Sequence, residues 1–311
     1  MRETTKAVLA LAALVALAGC TSTGDELVTT TATALHPTLA IDPGVRVIPD
    51  VEYTSVDGTA LLLDVCLPPD ATTADLAASP RPAIVAIHGG SWRRGDKADA
   101  DFGPACRWLA SAGFVVVSVN YRLAPDSSFP APLDDVQAAV RWLREPAQVA
   151  AYAIDPARIG AFGASAGGNL AELLALSGEG SVTEGSRVAA VVTMSGISDL
   201  REPIVASAAY SGDFEQAQLD YLGCATFSPC AAAAGASPVL LADPTDPPFL
   251  VTHSRSEFIP IAQSDALVAA LRAAGVPTTY LRIEGALHGV SILDDALAQR
   301  VTDYFRSTLV E

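Results

Sequence analysis

Six short apolar runs, PAIVAIHGG, FVVVSVNYR, RIGAFG, VAAVVTMSG, PFLVTH and TTYLRI, are separated by stretches of helical spacing, and this alternation constrains the fold more than any other feature. The runs are continuous rather than polar and apolar by turns, which marks strands buried on both faces. Between them, ACRWLASAG, LDDVQAAVRWLRE, GNLAELLALSG and SDALVAALRAAG place apolar residues at helical intervals. Strand then helix, repeated, predicts an α/β fold: a mostly parallel central sheet with helices on both faces. Ahead of the first run, VRVIPDVEYTSVDGTALLLDVCLPP holds two strands joined at Asp57-Gly58, a hairpin signal. No internal repeat or Pro/Gly-rich linker divides the 311 residues, so one large domain is expected. Only the segment from Leu200 to Pro247 breaks the rhythm, where a small cap or insertion is expected over residues 200–247.

RIGAFG runs straight into ASAGGNLAELL, which puts Gly163-Ala164-Ser165-Ala166-Gly167 where a strand turns into a helix. Small residues let the backbone bend sharply and leave one hydroxyl above the sheet, the G-x-S-x-G arrangement of a nucleophile. That hydroxyl needs a base. In sites of this architecture the chain order is serine, acid, histidine. Of the four histidines, His36 and His88 precede Ser165 and His253 closes a strand. His288, in the loop EGALHGV after the last strand, is therefore the expected base. The acid that orients the imidazole is expected after the penultimate strand. There HSRSEFIPIAQS supplies Glu257, whereas Asp243 and Asp246 precede that strand and Asp199 ends an earlier one. A tetrahedral intermediate also needs donors for its oxyanion. His88-Gly89-Gly90-Ser91-Trp92 follows PAIVAI, and the amides of Gly90, Ser91 and Ala166 are the expected set. Trp92 reads equally as a wall of an acyl pocket or as a core residue.

The N-terminus carries Arg2 and Lys6, then an apolar run from Ala7 to Ala18. That run is shorter than the roughly 20 residues of a membrane span and fits the core of a signal peptide. It ends in Leu17-Ala18-Gly19-Cys20, which resembles the bacterial lipobox, so residues 1–19 are expected to be removed and Cys20 lipidated. The protein is then exported and anchored to the outer face of a bacterial membrane. The polar, threonine-rich stretch that follows reads as a flexible tether over residues 20–40, with the folded domain spanning 41–311. A net charge of −16 argues against nucleic acid and against polybasic attachment to anionic lipid. The four cysteines beyond Cys20 suit an oxidising compartment. Cys224 and Cys230 are expected to pair, while Cys66 and Cys106 read equally as a pair or as buried thiols. Scattered histidines without a Cys/His cluster offer no metal site, and no G-x-G-x-x-G stands where a dinucleotide would need it.

HGGSW, VNYRLAP, FPAPLDDVQAAVRWLRE, GASAGGNLA and GALHG, in this order from about Val45 to the C-terminus, resemble bacterial esterases of the α/β-hydrolase superfamily related to hormone-sensitive lipase and kynurenine formamidase. The resemblance implies an α/β-hydrolase fold and a cofactor-free serine esterase, and export fits a substrate met outside the cytoplasm, a small acyl ester or an acetyl group on a polysaccharide. An amide hydrolase, a peptidase and a non-catalytic binding lipoprotein are the alternatives. The chain departs from the family's acid loop in two places. Glu257 stands where an aspartate is usual and Ser254 where a glycine is usual, so the loop is expected to sit further back to accommodate the longer acid.

Overall fold

The computed structural model describes residues 24–32, 39–69, 80–201 and 210–310. Its strands are β1 (Asp25–Thr29), β2 (Arg46–Val56), β3 (Thr59–Leu67), β4 (Arg81–Ile87), β5 (Val115–Val119), β6 (Ile154–Ala164), β7 (Ala190–Met194), β8 (Phe249–Ser254) and β9 (Thr278–Glu284). They form one sheet in the order β1-β9-β8-β7-β6-β4-β5-β3-β2. β2 and β3 make the antiparallel hairpin at Asp57-Gly58, and β3 joins β5 antiparallel. Every other neighbouring pair is parallel. This is the α/β-hydrolase arrangement.

The helices are α1 (Phe102–Ser111), α2 (Ala131–Leu143), α3 (Pro146–Tyr152), α4 (Ala166–Leu176), α5 (Gly212–Leu222), α6 (Ala232–Gly235), α7 (Ala262–Ala273) and α8 (Asp295–Leu309). Alternate residues of each central strand feed two cores. Val85, Val117 and Val251 pack with Val136 of α2, Leu170 of α4 and Leu267 of α7. Ile84, Val116, Phe162 and Leu281 pack on the other face with Trp108 of α1 and Phe305 of α8. Two buried faces explain the unbroken apolar runs, each fully buried Val or Ile contributing about 1.5–3 kcal/mol. Cys66 on β3 is bonded to Cys106 on α1 across that second core, and Cys224 is bonded to Cys230.

The structure departs from the sequence reading at the tether. Residues 25–29, expected to be flexible, form β1, an edge strand parallel to β9. Its fastenings are backbone and charge, together with Val28, which packs against the second core while Leu27 stays exposed. Asp25 pairs with Arg272 and Arg282 at 2.7 and 3.1 Å, and Glu26 with Arg300 at 2.5 Å. Thr30 Oγ1 then donates to the Ile292 carbonyl. The signal segment and Cys20 lie outside the described residues, and among those described no helix is long and apolar enough to cross a membrane. In the insertion, α5 lies beside the loop after β4, where Arg93 pairs with Asp213 and Asp220 at 3.4 and 3.3 Å.

Candidate active site

Ser165 follows β6 and opens α4 with φ 57° and ψ −125°. The left-handed φ is uncommon for a residue with a Cβ. It is held by close packing of the bend: a Cβ on Gly163 would overlap the Gly167 carbonyl, and one on Gly167 would overlap the Ile87 carbonyl. Backbone therefore passes backbone where side chains would not fit, and the Ser165 amide donates to the Met194 carbonyl at 2.9 Å. Ser165 and His288 line one cavity of about 400 Å³, with Gly89, Gly90, Ser91 and Phe258.

His288 begins the short turn after β9, and its Nδ1 is hydrogen-bonded to Glu257 Oε2. A carboxylate only accepts, so this bond puts the proton on Nδ1 and leaves Nε2 free to act as a base. Glu257 lies on the loop after β8 and its side chain is fully buried. Its second oxygen, Oε1, accepts from Ser195 Oγ at 2.5 Å and lies 3.2 Å from His253 Nε2. Ser195 Oγ in turn accepts from the Gly289 amide at 3.0 Å. One hydroxyl thus joins Glu257 to the backbone next to His288. Sequence reasoning missed Ser195, because a serine at the end of a strand carries no signal of its own. Its left-handed φ of 51° is visible only in the fold.

The remaining candidates separate cleanly. His253 is buried, with Nδ1 2.7 Å from Ser264 Oγ and Nε2 2.9 Å from the Ile259 carbonyl, and burial pushes its imidazole below the usual range. A neutral ring that donates from Nε2 and accepts at Nδ1 satisfies both contacts. Burial likewise lowers His88, which stacks on Tyr121 at 4.4 Å and supports the loop after β4. Asp199 binds Arg201 and Asp246 binds Arg187, and neither they nor Asp243 line the cavity. Ser254 Oγ donates to the Leu287 carbonyl at 2.5 Å, tying the acid loop to the turn that carries His288.

Gly90 has φ 109°, and a Cβ there would overlap the Arg94 carbonyl, so only glycine fits this bend. Ser91 and Trp92 follow with φ 56° each. Gly90 and Ser91 line the cavity, while Ala166 is the first residue of α4, whose amide has no acceptor within the helix. Trp92 is fully buried and stacked on Tyr221 of α5 at 4.3 Å, so it is a core residue rather than a wall of the cavity. Phe258, 56% exposed, covers the His288 ring at 4.4 Å and touches Phe214 of α5 at 5.6 Å. None of the described insertion residues lines the cavity itself.

The BD-FAE family matches residues 63–271, more than half of the chain and inclusive of Ser165, Glu257 and the loop after β4. The chain belongs to this family. Among proteins similar to this BD-FAE member, esterase LipC of Mycobacterium tuberculosis is 33% identical over 249 residues, 77% of this chain and 59% of that protein. Arylacetamide deacetylase of Bos taurus is 43% identical over 96 residues, 30% of this chain and 24% of that protein. A solved carbohydrate esterase from gut microbiota, in truncated form, is 27% identical with a TM-score of 0.70, covering 86% of this chain and 97% of that one. An esterase of the planctomycete Thermogutta terrifontis is 26% identical with a TM-score of 0.65, covering 85% and 92%. The chain spans less than two thirds of the length of the curated relatives it matches.

Proposed function

We propose that this protein is a serine carboxylesterase in which Ser165, His288 and Glu257 act as nucleophile, base and orienting acid. The observation that carries the reading is the cavity shared by Ser165 and an imidazole whose Nδ1 is bound to a buried glutamate. In the reaction, His288 Nε2 takes the Ser165 proton as Oγ attacks the ester carbonyl carbon. The amides of Gly90, Ser91 and Ala166 receive the oxyanion. Collapse breaks the bond to the alkoxy oxygen, which leaves with the proton from His288, and water then attacks the acyl-enzyme by the same path. Short acyl or acetyl esters of small molecules or carbohydrates are the favoured substrates, supported by the names of the relatives and by a cavity of modest size.

A second reading, amide hydrolysis by the same machinery, is favoured by the local likeness to arylacetamide deacetylase. Matched ester and anilide substrates separate the two. With p-nitrophenyl acetate, butyrate and octanoate, Ser165→Ala is expected to lower kcat by on the order of 10⁴ or more. Glu257→Gln is expected to lower it by on the order of 10²–10⁴. Full activity in either variant would remove that residue from the mechanism. We also propose that the chain is exported and lipidated at Cys20, as the sequence around that residue supports. Cys20→Ser should then move the protein from the detergent phase to the aqueous phase on partition of whole-cell extracts.

A further inference from the structure

The polarity of β1 relates the proposed anchor to the proposed site. β1 runs parallel to β9, and the Tyr280 amide donates to the Gly24 carbonyl at 3.2 Å, so the chain enters the sheet at the amino edge of its parallel strands. Ser165, Glu257, His288 and the Gly90-Ser91 loop all follow the carboxyl ends of β6, β8, β9 and β4. At about 3.3 Å per residue, the length of β9 puts these edges roughly 20 Å apart. Cys20 and Gly24 are separated by at most roughly 14 Å of extended chain, whereas a leash from Cys20 to Ile41 would reach roughly 70 Å. Three arginines, from α7, β9 and α8, hold the acidic start of β1 in place.

We infer that the amino edge of the sheet is the surface this protein turns toward the bilayer, with its catalytic cavity facing the aqueous phase. The inference rests on the lipidation of Cys20 proposed above. The surface at that edge suits the role. Val310, at the end of α8, is 53% exposed there, its neighbour Leu309 fixed by Arg158, which also binds the Pro80 carbonyl ahead of β4. Beside it lies a recess of about 480 Å³ at the starts of β8 and β9, with Pro248, Phe249, Leu250 and Pro277 on one side and Arg300 and Asp303 of α8 on the other. A short leash at this edge holds Ser165 away from lipid esters and open to esters in solution or on a polymer outside the membrane.

The test uses the lipidated full chain on phosphatidylcholine vesicles containing nitroxide-headgroup lipid, with a fluorophore on Val310→Cys at the amino edge or on Asp126→Cys in the loop after β5 at the carboxyl edge. Loss of fluorescence at position 310 and none at 126 is expected. Equal loss at both, or greater loss at 126, overturns the orientation while leaving the anchor intact. Failure of the Cys20 chain to bind vesicles better than Cys20→Ser overturns the anchor and the orientation together, and leaves the esterase reading untouched. A flexible segment of about twenty residues inserted between Thr23 and Gly24 should abolish the difference without abolishing binding; persistence of the difference would overturn the short leash as its cause.

Discussion

Ser195 carries two bonds that a triad of serine, histidine and acid does not by itself require. Its hydroxyl donates to the oxygen of Glu257 that His288 does not use, and accepts from the amide that follows His288. Loss of a hydrogen bond to a charged group costs about 1.5–3 kcal/mol, so Ser195→Ala is expected to lower kcat by roughly ten- to a hundredfold with little change in KM. Ser195→Gly tests whether the hydroxyl or the backbone matters: glycine accepts the φ of 51° freely but cannot bond, so it should be as impaired as alanine. Recovery of activity in the glycine variant would assign the residue a purely conformational role. Glu257→Asp keeps the charge but withdraws it by one methylene from both His288 and Ser195. A displacement of about 1 Å can cost on the order of a hundredfold, so this variant is expected to lose activity although its charge is kept. At this scale chain order and loop position already single out Ser165, His288 and Glu257 as the candidates, and the fold adds the Glu257–His288 bond and the cavity that Ser165 and His288 share. Ser195 is not singled out in sequence, because its importance lies in what the fold brings beside it.

Among the elements, α4 does more than present Ser165. It carries Glu172, a fully buried carboxyl that accepts from Thr193 Oγ1 on β7 and Ser198 Oγ beyond it, each at 2.7 Å. Burial raises its pKa to about 7, against the opposing pull of those two hydroxyls. A carboxyl that holds its proton more tightly when folded makes stability fall as pH rises from its unfolded value near 4.5 toward about 7, after which the cost is constant. That interval corresponds to about 3 kcal/mol. Glu172→Gln, which cannot ionise, should lack this component, so the urea stability of the wild type relative to the variant should fall between pH 5 and pH 8. A constant difference would mean that Glu172 does not change protonation in the folded chain. The apolar run on either side of Ser165 announced β6 and α4, and Asp57-Gly58 announced the β2–β3 hairpin, because period and turn chemistry are local properties. Disulfide pairing of Cys66 with Cys106 depends on α1 crossing β3, which no local pattern encodes.

For the whole molecule, the question is where the folded unit begins. Polar composition and absence of periodicity placed the boundary at Ile41, and both are accurate descriptions of residues that nevertheless form β1. An edge strand of five residues held by backbone bonds, arginines and a single core-packed valine, Val28, shows too little apolar pattern to be read in sequence. Removing residues 1–40 would strip β9 of its outer neighbour, leaving one unpaired edge from Thr278 to Glu284 and Arg300 without Glu26. Exposed strand edges recruit other strands. A chain that starts at Ile41 is therefore expected to melt about 5 °C below one that starts at Gly24, and to associate as concentration rises. Its kcat/KM should be largely retained, because Ser165, Glu257 and the Gly90-Ser91 loop follow β6, β8 and β4, which do not pair with β1, and what is lost near His288 is the bond from Thr30 Oγ1 to the Ile292 carbonyl. Thermal unfolding and sedimentation of the two chains decide the matter. Equal melting and two monomers would make β1 a surface addition, whereas loss of activity together with stability would mean that the edge strand helps hold β9, and with it His288, in place.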